Sequence, residues 1–398
     1  FDIILKTANG TSYNAYVVRG NNGVAIIDTV KENFAEDFFR RLETVARYEE
    51  ITTIVLNHLE PDHSGALPEL LKRAPQAKVY LSSRAQMMLK ALLKPTGEKP
   101  PEYIPVTTDD TVDLGGRTLR FLHTPYLHWP DTQCTYLEEE AILFTGDIFG
   151  CHFCDNRLFN DTVGDFRFSF EYYYAHIMRP FREYVLDAIA LIEPLEIKLI
   201  APAHGPVLRH KPRDYVHRYR ELATPRLFNE ARSEKTLVVF YLSAYGNTRR
   251  MAEALAAGAE SLGGVRVSLY DLEGGEADIF TDLVEEADGI AFGSPTINAD
   301  AVKPIWDLLS SLTTVNIKGK LGAAFGSYGW SGEAVRLIED RLRGLKLRVP
   351  VEGLRIKLVP DARELDACRE LGENLARHLT GRVEHREIEF SQLQAALT

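Results

Sequence analysis

The sequence predicts an α/β protein of two domains, an αβ/βα sandwich followed by a doubly wound, five-stranded parallel sheet. Three observations carry this expectation. At 398 residues the chain exceeds what one ordinary core supports. Its first part, residues 1–210, groups short strands with helices outside them. From Lys235 onward the pattern becomes strict alternation through five β/α pairs.

Taken in order, residues 12–19 and 23–30 read as a hairpin joined by Gly20-Asn21-Asn22. A helix is expected over 34–48, then a buried strand, Thr53-Ile54-Val55-Leu56. A helix start at Leu67, a strand at 78–82 and a helix at 84–93 follow. Further strands are expected at 117–123 and 134–144, an amphipathic helical segment at 170–192, and a strand at 197–201. Residues 206–234 are dense in Arg, Lys, Glu and Pro, the composition of a connector that includes a helix. The expected boundaries are 1–210 for the first domain, 211–234 for the connector, 235–385 for the second domain and 386–398 for a tail or linker. In the second domain strands are expected at 236–243, 265–272, 289–295, 320–328 and 354–360. Its helices are expected at about 247–262, 278–286, 303–313, 331–343 and 363–379.

Composition narrows the class of function. A net charge of −11 without a basic stretch argues against a nucleic-acid partner. No apolar run approaches the roughly 18 residues of a membrane span. Four cysteines do not make a disulfide scaffold, so a reducing, cytoplasmic setting is expected. No signal-peptide pattern opens the chain, and Phe1 is not a methionine, so the reading leaves room for residues before it.

The chemistry concentrates in Asn57-His58-Leu59-Glu60-Pro61-Asp62-His63-Ser64-Gly65, directly after the strand ending at Leu56. Imidazole and carboxylate at this density suit a two-metal site. A lone histidine is usually solvated or packed in a core, but His58 and His63 enclose two carboxylates. More candidates sit at later strand ends: His128 in Leu127-His128-Trp129-Pro130-Asp131, Asp147 in Thr145-Gly146-Asp147, and His204 in Ala203-His204-Gly205. His123 lies nearby and is expected to be structural.

His-x-Glu-x-Asp-His, then His128, Thr-Gly-Asp147 and Ala-His204-Gly, resembles the metallo-β-lactamase superfamily, which usually carries a histidine where Glu60 stands. Glu60, the β/α second half and the segment Thr11–Tyr16 make the chain resemble the flavodiiron proteins. That resemblance implies a metallo-β-lactamase-like sandwich followed by a flavodoxin-like sheet. It places His58, Glu60 and His128 on one iron, Asp62, His63 and His204 on the other, and Asp147 between them, with a hydroxo or oxo bridge. Ligand chemistry agrees, because replacing a nitrogen donor by Glu60 hardens the site towards iron or manganese, although zinc affinity is intrinsically high.

The second half carries a matching set of loops. The strand after Thr236 runs into Ser243-Ala244-Tyr245-Gly246-Asn247-Thr248 and then a helix. Hydroxyls, a glycine and a helix N-terminus suit a phosphate monoester. No GxGxxG is present, so a dinucleotide is not indicated. The segment resembles a flavodoxin phosphate loop, with Arg249 and Arg250 expected on a solvated face. Ser294, Pro295, Thr296 and Asn298 end the third expected strand; Ser327, Tyr328, Gly329, Trp330 and Gly332 end the fourth. Both loops resemble those that hold an isoalloxazine ring, so FMN is the expected cofactor.

Cys151-His152-Phe153-Cys154 is expected to hold two buried free cysteines rather than a redox pair. His152 resembles a group facing the substrate pocket, and Tyr174, within Tyr172–Tyr174, is a candidate hydroxyl for the same pocket, with packing the favoured role. The family implies an oxidoreductase passing electrons from FMN to a diiron site that reduces O2 to water, NO to N2O, or both. It implies an external donor such as rubredoxin or a flavin reductase, and a head-to-tail homodimer or a dimer of dimers. Two competitors stay in view: a zinc hydrolase with an accessory flavodoxin-like domain, and a non-catalytic electron carrier or sensor.

Overall fold

The computed structural model describes residues 7–94, 101–224, 234–273 and 277–382, so the segment expected at 386–398 lies outside the described residues. Contacts divide the chain into two units, Phe1–Pro225 and Arg226–Thr398.

The first unit holds two five-stranded sheets. β1 (Tyr16–Arg19), β2 (Val24–Ile27), β3 (Ile51–Leu56), β4 (Lys78–Ser82) and β5 (Tyr103–Val106) form one, in that order. β1 and β2 make the expected antiparallel hairpin, and the other neighbours are parallel. β6 (Thr111–Asp113), β7 (Thr118–His123), β8 (Gln133–Leu137), β9 (Ile142–Gly146) and β10 (Leu199–Pro202) form the other, ordered β10-β9-β8-β7-β6. Here β9 and β10 are parallel and the remaining pairs antiparallel.

Side-chain alternation explains the layers. In β3, Ile54 and Leu56 join the helices Ala35–Leu42, Leu67–Arg73 and Ala85–Leu93. Val55 points the other way and meets Phe121, Leu137 and Phe144 of the second sheet. Leu143 and Ile200 on that sheet's outer face pack on Phe170, Val185, Ile189 and Tyr219. Two sheets face to face with helices outside give the expected αβ/βα sandwich.

Several expectations need correction. The strand expected at 134–144 is two strands, because Leu137 to Ile142 is a turn with Ala141 at φ 56°. β5 and β6 were not anticipated; they are short, and no residue of β6 is fully buried, so their apolar signal is weak. The segment expected at 170–192 is broken at Arg179–Phe181, where Pro180 removes a donor. The connector's helix, Pro212–Ala223, belongs to the first unit, since Val216, Tyr219 and Ala223 are buried in its outer helical core.

The second unit is one parallel sheet of β11 (Lys235–Tyr241), β12 (Val265–Asp271), β13 (Gly289–Gly293), β14 (Leu321–Tyr328) and β15 (Leu354–Lys357). Its order is β12-β11-β13-β14-β15, all parallel. Val238, Phe240, Ile290 and Phe292 pack on one helical layer with Ile305 and Ile338. Leu237, Val239 and Ala291 pack on the other with Met251, Leu255 and Leu375. The direction of winding reverses between β11 and β13, which is where such sheets open a crevice at their carboxyl ends.

Candidate metal centre and flavin-binding loops

All seven candidate ligands stand at one rim of the sandwich. His58 and Glu60 follow β3, His128 lies in the β7–β8 connection, Asp147 follows β9 and His204 follows β10. Asp62 and His63 ride a four-residue helix, Pro61–Ser64, started by proline at its first position. Thr29 holds the main chain there, its N–H and hydroxyl both donating to the His63 carbonyl at 2.8 and 2.7 Å. The two sheets are joined beneath the rim by Asn57. Its N–H donates to Asp28 Oδ1 at 2.7 Å, and its side-chain oxygen accepts from the Thr135 hydroxyl at 2.7 Å.

The ligand atoms fall into two groups, His58, Glu60, His128 and Asp147, and Asp62, His63 and His204. Asp147 faces both. Its Oδ2 lies 3.8 Å from His58 Nε2 and 3.4 Å from His128 Nε2; its Oδ1 lies 3.0 Å from His63 Nε2 and 3.5 Å from His204 Nε2. Glu60 Oε2 stands 3.3 Å from His58 Nε2 and 3.0 Å from His128 Nε2. Asp62 offers Oδ1 to His63 at 3.4 Å and Oδ2 to His204 at 3.3 Å. His58, His63, His204, Asp62 and Asp147 are buried, whereas Glu60 and His128 keep 18 and 15 % of their side chains exposed. The centre therefore meets solvent on the Glu60–His128 side.

Two histidines have their ring orientation fixed from behind. His204 Nδ1–H donates to the Ser12 carbonyl at 2.7 Å, and His58 Nδ1–H donates to Asp131 Oδ2 at 3.1 Å, so each turns Nε2 towards the carboxylates. Both oxygens of Asp62, Oδ1 of Asp147 and both ring nitrogens of His63 are buried without a hydrogen bond among the described residues. Buried polar atoms left so are costly. Cations between these atoms would satisfy them, and three carboxylates with four imidazoles suit two ferrous or manganous ions. The residues fit a diiron centre.

His123 stays outside both groups, half-buried, consistent with a structural role. His152 is buried beside His204, with ring centroids 5.2 Å apart, and its Nδ1 is 3.0 Å from the Thr11 hydroxyl. Burial first, then the charge of His204, pushes His152 down to about 4, so its ring is neutral at neutral pH. Of the tyrosine run, Tyr173 is the ring that meets His152, edge-on at 4.9 Å. Tyr174 instead packs at 5.0 Å on Tyr219 in the helical core, so packing is the role its surroundings favour. Successive helical residues point about 100° apart, and the sequence run alone does not tell which one faces the metals. Cys151 is buried and burial pushes its thiol up to about 12; Cys154, expected buried, is exposed. Gly205, at φ 79°, lets the chain turn after His204, where a Cβ would lie 2.6 Å from Cys151 Sγ. Asp131 and Asn57 stand within the ligand segments, but nothing in the sequence marks their role there, because holding a ligand from behind imposes no spacing of its own.

In the second unit the three expected loops leave the carboxyl ends of β11, β13 and β14. Gly246 takes φ 78° immediately before the helix Asn247–Ser261, and the space a side chain would fill there is open. The first-turn amides of that helix suit a phosphate. Ser243 Oγ accepts from the Arg249 N–H at 3.1 Å, and the Thr248 and Ser327 hydroxyls meet at 3.0 Å. Thr296 N–H donates to the Ser327 carbonyl at 2.9 Å, fastening the second loop to the third. Ser294 Oγ accepts from Val302 N–H at 3.1 Å, and Asn298 adopts φ 52°. Tyr245 is 92 % and Trp330 82 % exposed, two large rings that a planar aromatic ligand would cover. The residues fit FMN. Arg249 pairs with Asp271 at 2.8 Å on the surface, as expected of a solvated face.

A family model described as ODP family beta lactamase matches residues 11–205, and one described as flavodoxin matches residues 239–372. The chain is 62 % identical over 395 residues to type A flavoprotein fprA of Rhodobacter capsulatus, covering 99 % of this chain and 91 % of that one. It is 36 % identical to the anaerobic nitric oxide reductase flavorubredoxin of Aeromonas salmonicida, covering 94 % of this chain and 70 % of that one. The solved rubredoxin oxygen:oxidoreductase of the anaerobe Desulfovibrio gigas superposes with a TM-score of 0.65 at 28 % identity, covering 96 % of this chain and 94 % of that one. A fold of these two halves, ligand groups at the rim of one and open loops at the carboxyl edge of the other, and identity along nearly its whole length establish that the chain belongs to the flavodiiron proteins, the type A flavoproteins.

Proposed function

We propose that this chain is a cytoplasmic flavodiiron oxidoreductase that accepts electrons from an external donor and reduces O2 to water, NO to N2O, or both. The observation that carries this reading is Asp147, one carboxylate whose two oxygens face two separate ligand groups. Relatives named as a nitric oxide reductase flavorubredoxin and a rubredoxin oxygen:oxidoreductase support both substrates and a rubredoxin-like donor, and a flavin reductase is the alternative donor the family resemblance carries. His58, Glu60 and His128 would hold one iron and Asp62, His63 and His204 the other, with Asp147 shared. Loops 243–248, 294–298 and 327–332 would hold FMN. When bound, FMN and the irons supply the redox chemistry and the positions at which substrate is reduced.

The chain's own residues do the rest. Asp131 and the Ser12 carbonyl keep His58 and His204 turned towards the metals. Glu60 and His128 leave the centre open on one side, where small apolar gases can enter. The neutral ring of His152, joined to the Thr11 hydroxyl, offers an N–H for relaying protons to reduced oxygen. All four cysteines are free, and among the described residues no helix is long and apolar enough to cross a membrane. The family resemblance carries the head-to-tail homodimer, and a fully active monomer in light scattering would remove it. The domain assignment proposed is a diiron domain through about residue 225 and an FMN domain from about residue 235.

Anaerobic turnover of the reduced protein with O2 and with NO, in parallel, tests the reading. Consumption of either gas at many turnovers per chain supports it. A protein that consumes neither gas but hydrolyses a thioester or phosphodiester with bound zinc would be a hydrolase instead.

A further inference from the structure

We propose that Asp131 is a positioning residue that binds the two ligand segments of the Glu60 group together and makes that half of the centre the more electron-rich; this rests on the diiron reading above. Asp131 lies three residues after His128, on the loop entering β8. Its side chain is wholly buried and crosses to the other sheet's segment, where Oδ2 accepts from His58 Nδ1–H at 3.1 Å and from Leu59 N–H at 2.8 Å. Its main-chain oxygen accepts from the Ser82 hydroxyl at 2.7 Å, at the end of β4. One residue therefore fixes the segment carrying His58 and Glu60 against the loop carrying His128. Trp129, two residues earlier, stands edge-on to His58 at 5.1 Å and closes the same side.

The two histidines with fixed rings are not treated alike. His204 donates to a neutral carbonyl, whereas His58 donates to a full negative charge. A carboxylate behind an imidazole raises its basicity and strengthens its bond to metal. Glu60 on this side is matched by Asp62 on the other, and Asp147 is shared, so the unmatched negative charge is that of Asp131. An iron held there is accordingly the harder of the two to reduce, and electrons settle first on the Asp62–His63–His204 side. A residue that only fastened the loop would give no such asymmetry, since an amide could accept from Leu59 N–H equally well.

The test uses the full chain with Asp131→Asn and Asp131→Ala. Metal-free protein is titrated anaerobically with Fe(II) and, in parallel, with Zn(II), and iron-loaded protein is followed by EPR during stepwise reduction. Asp131→Ala should weaken one metal site by roughly 10- to 100-fold and spare the other. Asp131→Asn should keep both metals within about tenfold while the more negative of the two iron potentials rises. Flavin content should not change in either variant. Wild-type potentials in Asp131→Asn, or equal weakening of both sites in Asp131→Ala, would overturn the proposal. If Asp131→Ala does not fold, Asp131→Asn decides alone. Failure of the wild type to bind Fe(II) would count against the diiron reading, and the Zn(II) arm would still read the one-site effect of Asp131.

Discussion

The metal centre and the flavin loops both occupy strand ends, but they are made of opposite material. Around the metals the functional atoms belong to side chains, and five of the seven are buried. At the flavin loops they belong to backbone, to buried hydroxyls such as those of Thr248, Ser294 and Ser327, and to the solvent-exposed rings of Tyr245 and Trp330. The first site concentrates charge in a dry place and so depends on cations to balance it. The second would spread phosphate and ring contacts over three loops, so no single residue there would carry most of the binding. Removing one group should therefore cost far more at the metals than at the flavin.

The largest effect is expected from Asp147→Ala. It takes away the one carboxylate facing both groups, so iron should fall by on the order of 100-fold or more in affinity and gas reduction should vanish. Flavin absorbance should persist, and metal analysis alongside it checks both halves. Two tightly bound irons in that variant would break the contrast between the sites.

Protonation gives the next test. In metal-free protein His58 is raised to about 10, and His63 and His128 to about 9. Burial opposes the charge most strongly in each, but it is outweighed by the hydrogen bonds that His58 donates to Asp131 and Glu60, by the charge of Asp147 beside His63, and by the hydrogen bonds that His128 donates to Asp147 and Glu60. Ligands must lose these protons to bind metal, so loading should release protons, and apparent affinity should climb as pH rises from 7 towards 9 or 10. The sign for stability is opposite. A raised folded pKa stabilises fully below the usual 6.5, and that contribution fades as pH rises through about 9 to 10. Calorimetry in buffers of different ionisation enthalpy, with melts of metal-free protein between pH 6 and 10, reads both slopes. Binding without proton release would contradict the charged state assigned to these histidines.

A smaller effect is expected at the flavin. Trp330→Ala should weaken FMN by about 0.5–1.5 kcal/mol, up to roughly tenfold in Kd, with iron content unchanged. Fluorescence titration of the flavin-free protein measures it. Arg249→Ala should do least. Its pair with Asp271 is exposed and screened by water, so FMN affinity should stay within about twofold. A larger loss of FMN there would place Arg249 on the phosphate.

The contrast also explains what the sequence revealed. The ligand string was legible because a metal site demands particular atoms at tight spacing, and His58 to His63 meet that demand within six residues. The parallel sheet was legible because its central strands β11, β13 and β14, buried on both faces, read as apolar runs such as Leu237–Tyr241. Asp131 was not legible, because a carboxylate that orients a ligand needs only to arrive from any loop. Which of Tyr172, Tyr173 and Tyr174 meets His152 is set by helical phase, which three identical residues in a row cannot report. The hairpin between β8 and β9 was hidden because Glu138, Glu139 and Glu140 turn the chain without glycine or proline. The helix Pro212–Ala223 looked like a connector because its polar face dominates its composition, while a few buried residues decide where it packs.

The most direct measurement of the central claim is the iron, zinc and flavin content of the purified protein, taken together on one sample. The account predicts two irons and one FMN per chain, with zinc absent in proportion. A colourless protein holding two zinc ions, or a yellow one with no metal, would contradict it.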